Sequence, residues 1–471
     1  MDGNVKQVKK LKAKDLFLGI IVLMLFLDTA MSSSTLGFST ITWYLLLTVI
    51  FFLPMALITS ELGSTYPSDG GLYHWVKISL GADNATRISW YYWVNCAIWC
   101  ASMPSFIMDL ICQMLNVLFG IEVPFVLYLI LCCVSVWVFI FITMQPSEES
   151  AVTRNLGGII KLGIVVAMVI CAICYLVRNG QSSTPFVLSE MKLTIGSAFA
   201  FFPAVVYNII GFDAVCSIGG SNITNPGRDI PRMILLSLGI MLVVYILFTL
   251  AICIVTPAAD IDIISGIANM FLVTFPGALG MILYAVVGIA LLYALISQIP
   301  AWLQASGFMA MEAASDENRE LPKVFATTTK KGGLKGSPIL QGIVGTTMIL
   351  IYGFLTMFVG GTAADLFWTL FSLVSIFFMI PFLMLCSAFI KLRKTDPTKR
   401  AFRFPGPDKF AFVSARFCQI VVALTLLIFF WVPGQPIDVV TTVALIIGSI
   451  ICLVLGEVFN IKRKKSVNKI D

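Results

Sequence analysis

The sequence predicts an all-α membrane protein of twelve transmembrane helices, and three observations carry that expectation. Of the 471 residues, 59% are hydrophobic and only 12% charged, with a mean hydropathy of +0.96; an ordinary globular domain carries roughly 25% charged residues. Apolar runs of about 20 residues recur from end to end, each long enough to cross roughly 30 Å of hydrocarbon as a helix. The alternating segments of roughly ten residues that a closed barrel requires are absent.

Taken in order, the spans fall near residues 16–36, 40–62, 88–118, 124–144, 156–177, 193–221, 233–256, 278–309, 338–358, 364–390, 411–432 and 438–460. The first has no small-residue cleavage site behind it and reads as a retained helix, with residues 1–15 as an N-terminal tail. The connecting segments then test the threading, because cytoplasmic loops gather Lys and Arg. With both termini inside, 28 of the 31 basic residues fall on the cytoplasmic side, Lys161 lies within a span, and only Arg178 and Lys192 face out. An odd number of spans would put one of the two basic tails, residues 1–15 or 461–471, on the wrong side. The expected location is the cell membrane, crossed many times, with both termini cytoplasmic.

Several function classes drop out. No GxxxxGK[ST] phosphate loop is present to drive a nucleotide pump, there is no HExxH or GxSxG, and the chain has one histidine. Catalysis, a metal, a cofactor and nucleic acid are not expected. The twelve cysteines sit inside apolar segments; Cys171 and Cys174 form a CxxC within a span and read as packing residues. Secondary transport remains.

A backbone can leave the helix at membrane depth only where protein or a water-filled cavity satisfies it. The first span contains Asp28-Thr29-Ala30-Met31-Ser32-Ser33-Ser34-Thr35, and the sixth contains Tyr207-Asn208-Ile209-Ile210-Gly211-Phe212-Asp213 with Gly219 and Gly220 beyond. Both stretches are polar or glycine-bearing and form helix weakly. They lie five helices apart in order, which matches two inverted five-helix repeats, residues 16–177 and 193–390, whose first helices are discontinuous. Residues 411–460 then add two helices. The serines alone fit ordinary helix packing. Asp28 does not, because a carboxylate near the bilayer centre costs several kcal/mol unless paired.

The loop motifs carry a resemblance. Glu61, Pro67, Gly70, Gly71, Tyr73 and Trp75 fit the ExxxxxPxxGGxYxW segment after helix 2 of the amino acid–polyamine–organocation permeases. Gly211-Phe212-Asp213 with Asn225-Pro226-Gly227-Arg228-Asp229-Ile230-Pro231 is similar to that family's GF(D/E)…NPxRxxP segment. Leu321-Pro322-Lys323 resembles its loop after helix 8, and Arg400, Phe402, Pro405 and Gly406 resemble the segment before helix 11. Within the superfamily, the NPGRD form and the pairing of Gly37 to Ser39 with Phe52 to Pro54 look nearest to the bacterial glutamate/γ-aminobutyrate antiporters. The resemblance implies a leucine-transporter-like 5+5 inverted repeat that works by alternating access. The sequence departs from the family where a glycine-rich break in helix 1 is replaced by Asp28 and the serines.

Candidate residues follow. Asp28 is expected to pair with a ligand ammonium or to be a proton-coupling carboxylate. Ser32, Ser33 and Ser34, with their amides, are expected to hold a carboxylate at a half-helix N-terminus. The resemblance implies that Tyr207 is an aromatic gate, with Phe212 after the break; Trp99, Met103 and Phe377 are further lining candidates. It also implies that Lys161 occupies the place of a sodium ion in relatives, its ammonium binding the carbonyl end of broken helix 1 and a helix 8 group. The alternative for Lys161 is a side chain that snorkels to the interface. Asp109 either pairs with a polar group or titrates during transport, and Asp213 either caps the second half-helix or touches ligand.

An ionised Asp28 favours a substrate bearing an amine charge with no side-chain anion: putrescine, agmatine, tyramine or their parent amino acids. The expected function is exchange of an amino acid for its decarboxylated amine, the exchange resting on the resemblance. The competing readings are proton-coupled uptake, with protons as partners, and a transport-inactive receptor. The outer loop near Gly120 to Pro124 lacks the cysteine that partnered relatives carry, so no single-span partner is expected; the chain acts as a monomer or homodimer in the bilayer.

Overall fold

A computed structural model describes residues 24–68, 70–145, 151–193, 197–211, 225–315, 317, 319–433 and 436–467. Among these the protein is all helical, with one isolated bridge between Thr328 and Leu334. The helices are α1 (Leu27–Ser34), α2 (Ser39–Thr65), α3 (Leu72–Leu80), α4 (Ala82–Phe119), α5 (Phe125–Thr143), α6 (Ala151–Asn179) and α7 (Phe202–Tyr207). They continue with α8 (Pro226–Val255), α9 (Gly266–Thr274), α10 (Ala278–Ala313), α11 (Gly336–Val359), α12 (Ala363–Thr395), α13 (Asp408–Ile428) and α14 (Val439–Val467).

Ten of these are long and apolar enough to cross a membrane, so the protein is a multi-pass membrane protein. Each of the ten falls on one of the apolar runs of the sequence. Among the described residues, the two runs without such a helix are the first, whose residues 16–23 lie outside the described residues, and the sixth. In the first, Leu25 and Phe26 are non-helical ahead of the eight-residue α1. In the sixth, a 3₁₀ turn at Ser197–Phe201 leads into the six-residue α7, and residues 212–224 lie outside the described residues.

Burial sorts the bundle. The most apolar stretches of α4 and α12 are 89% and 78% buried, whereas those of α6, α11, α13 and α14 are 33% buried or less. α4 packs most extensively on α12, then on α10 and α11. The outer helices therefore turn most of their apolar surface to lipid, as membrane helices must. α2 contains a wide turn at Thr48–Phe52 just before Pro54, whose missing N–H breaks the regular ladder. α3 and α9 are short helices within what the sequence reads as loops. Asp262 sets up α9 by accepting the amides of Ile264 and Ser265, each at 2.8 Å.

Candidate functional site

The break at Leu25–Phe26 exposes backbone groups that a continuous helix would pair. Two side chains from distant helices take them. The Phe26 N–H donates to the Tyr245 hydroxyl at 2.9 Å, and that hydroxyl donates to the Met24 carbonyl at 2.8 Å. Lys161, fully buried on α6, donates to the Leu25 carbonyl at 2.6 Å and to Gln298 Oε1 of α10 at 2.5 Å. The lysine's acceptors are thus a carbonyl at the break and a side chain of α10, and its ammonium is buried inside the bundle.

Asp28 stands in the first turn of α1, 1% exposed, and no side chain hydrogen-bonds to either carboxylate oxygen, the amides of Asp28 and Thr29 being the backbone groups that act on it. Its charge lies close enough to act on Lys161, Tyr207 and Tyr245. Burying a carboxylate is costly, and Lys161 is the opposite charge that acts on it here. The unwound stretch precedes Asp28 and does not run through the serines as the sequence suggests. Ser32, Ser33 and Ser34 close the C-terminal end of α1, so their amides are not at a half-helix N-terminus; that end is Leu27 to Thr29. Ser33 Oγ and Ser34 Oγ donate to the Ala30 carbonyl at 2.9 and 2.8 Å, while Ser32 Oγ has no partner.

A polar knot ties the first and sixth segments together. Thr29 Oγ1 donates to Asn208 Oδ1, and Asn208 Nδ2 donates to Ser33 Oγ at 3.1 Å and to the Tyr44 hydroxyl at 2.7 Å. Asn208 comes directly after α7, where the chain turns towards Gly211. Gly211 has φ +121°, backbone that L side chains rarely adopt. A Cβ there would lie 3.8 Å from both Phe378 and Trp302.

Those two rings belong to an aromatic wall. Tyr207 meets Phe26, Phe371 and Phe378 at centroid distances of 5.2, 5.0 and 4.9 Å. Trp302 meets Phe26 at 5.8 Å and Phe378 at 6.0 Å. Rings in this range pack edge-to-face or tilted and present π-electron density suited to a cation. The break, Asp28 and the wall therefore converge on one buried locus.

The other candidates divide. Met103 Sδ accepts from Gln298 Nε2 at 3.7 Å and so joins the Lys161 group, with Trp99 buried one helical turn earlier. Phe377 packs on Tyr91 at 6.0 Å, and its neighbour Phe378 is the residue that meets Tyr207. Asp109 lies six residues beyond Met103, about 9 Å along the helix, beside Gln113 and the charge of Asp262; it is not in this group. Phe212 and Asp213 lie outside the described residues. Phe26, Asn208, Tyr44, Tyr245, Trp302, Gln298 and Phe378 join the site without having been singled out from sequence.

Residues 16–456 match the family model described as amino acid permease. The probable agmatine/putrescine antiporter AguD of Lactococcus lactis is 29% identical over 454 residues, covering 96% of this chain and 94% of its own. An uncharacterised transporter of Legionella pneumophila is 25% identical over 386 residues, 81% of this chain and 80% of its own. The inner membrane transporter YjeM of Salmonella typhimurium is 31% identical over 97 residues, 20% of this chain.

Proposed function

The chain belongs to the amino acid permease family, and from that premise we propose that it exchanges an organic amine, bound at Asp28, for a related amine or its parent amino acid. One observation carries the reading: a buried carboxylate without a side-chain hydrogen-bond partner, beside a helix break and a wall of aromatic rings. An ammonium supplies what Asp28 lacks, and a ring face adds about 0.5–2 kcal/mol through a cation–π contact. Tyr207 and Trp302 then cover the apolar body of the ligand. Agmatine and putrescine, named for the Lactococcus relative, are amines without a carboxylate and suit a site whose central charge is an aspartate.

The architecture that goes with this function has twelve spans in a leucine-transporter-like 5+5 repeat, the interrupted segments being the first and the sixth. The basic loops and both termini face the cytoplasm. Lys161 holds the break of the first segment to α10 and thereby keeps the cytoplasmic half together. The chain works as a monomer or homodimer.

Exchange has a direct test. In proteoliposomes loaded with unlabelled putrescine, uptake of labelled agmatine is expected to rise at least tenfold over empty vesicles and to ignore an imposed pH gradient. Uptake that is indifferent to internal amine and follows the pH gradient would establish proton symport instead.

A further inference from the structure

Apart from Gly211, the residues of the four loop motifs have no part in the amine site, and several of them meet one another. Glu61, near the end of α2 and 2% exposed, accepts the Phe404 N–H at 2.6 Å. It also faces Arg393 at 3.4 Å and Arg400 at 3.6 Å. Arg400 donates to the Tyr66 hydroxyl and to the Leu392 carbonyl, and Tyr66 donates to Asp396 Oδ2 at 2.7 Å. The first motif is thereby fastened to the last, and α2 to the segment after α12. Separately, the Tyr73 hydroxyl of α3 donates to Glu320 Oε2 at 2.5 Å, and Lys77 reaches Glu320 Oε1 at 3.1 Å. Glu320 is 2% exposed and stands directly before Leu321-Pro322-Lys323, after α10. The second motif joins the last as well, since a Cβ on Gly227 of the NPGRD segment would come within 3.1 Å of Ala401 Cβ.

We infer that Glu61 and Glu320 are positioning residues, each the centre of a clasp that must open before substrate can leave through the face that bears these loops. Each clasp joins α2 or α3, in the first half of the chain, to a segment following α10 or α12 in the second. A path to the face between these halves cannot form while both carboxylates stay buried among their partners. Once apart, water solvates the freed charges and repays much of the lost attraction, so each clasp has two accessible arrangements. The clasps therefore set the balance between the two access states and leave the amine contacts untouched. The inference rests on the alternating-access reading and on this face being cytoplasmic.

Sidedness separates such a role from a structural one. A state that is only partly populated weakens apparent affinity by its fractional population. Weakening a clasp must therefore lower the half-saturating amine concentration at the cytoplasmic face and raise it at the outer face. Glu320→Gln and Tyr73→Phe, assayed in right-side-out and inside-out vesicles, are each expected to shift the ratio of the two values about tenfold, with Glu61→Gln acting in the same direction. Glu320→Gln removes a charge, whereas Tyr73→Phe removes only a hydroxyl and keeps the ring packing should the first variant fold poorly. Half-saturation values that stay fixed, or that move together on both faces, overturn the inference. Failure of the carrier reading looks different, since wild-type vesicles would then show no saturable exchange at all.

Discussion

Asp28→Asn abolishes saturable amine exchange while the protein keeps its fold. Two unit charges 4 Å apart interact by about 4 kcal/mol at the effective dielectric of a protein site, and each 1.4 kcal/mol is about tenfold in affinity. Loss of the carboxylate should therefore weaken amine binding by roughly a thousandfold, read as the half-saturating concentration in proteoliposomes. Zwitterionic amino acids should lose less, since their own carboxylate gains from the missing charge. Asparagine is nearly isosteric, and neither oxygen of Asp28 accepts a side-chain hydrogen bond that the change would break. The melting midpoint in detergent should fall modestly, because the buried Lys161 loses the opposite charge that acts on it but keeps its two hydrogen-bond acceptors. A variant that binds putrescine within tenfold of wild type removes Asp28 from the site.

The second large effect is on stability. Lys161→Met leaves the Leu25 carbonyl and Gln298 Oε1 without their donor at the centre of the bundle. Breaking a buried, charge-assisted set of this kind costs about 3–5 kcal/mol. The expected readout is a melting midpoint lowered by several degrees together with loss of exchange. Lys161 and Asp28 also act on each other, so Lys161→Met leaves a buried carboxylate uncompensated. The double variant with Asp28→Asn should therefore be more stable than the sum of the single changes, by about 0.5–3 kcal/mol. Melting of Lys161→Met at the wild-type temperature would show that the lysine is not holding the break.

Much of this architecture is legible because lipid imposes a length rule. Ten apolar runs became ten long helices, and the two runs bearing Asp28 or Gly211 are the two in which the described residues hold no such helix. The exact place of the first break was not legible. Its unwound residues, Leu25 and Phe26, are apolar, and the groups that stabilise them, Tyr245 and Lys161, lie 219 and 136 residues away in the chain. The serines drew attention through their composition, yet a serine inside a helix can bond back to a carbonyl three or four residues earlier, as Ser33 and Ser34 do.

Neighbouring aromatics posed a different problem. Phe377 and Phe378 project about 100° apart on one helix, and only the packing of α4 and α7 against α12 decides which of them meets Tyr207. Trp302 stood out in no motif, although the polar Gln298 and Gln304 of α10 lie on either side of it. The loop motifs show the opposite case: the resemblance identified them, but their mutual pairing, Glu61 with Arg400 and Tyr73 with Glu320, appears only once the chain is folded.

The central claim is that a carboxylate at a broken helix recognises an ammonium, and an experimental structure of the protein with putrescine or agmatine bound tests it most directly. The account predicts an amine nitrogen within about 2.7–3.2 Å of an Asp28 oxygen, with the ligand's carbon chain against Tyr207 and Trp302. A ligand seated elsewhere, with Asp28 still unpartnered, would contradict it.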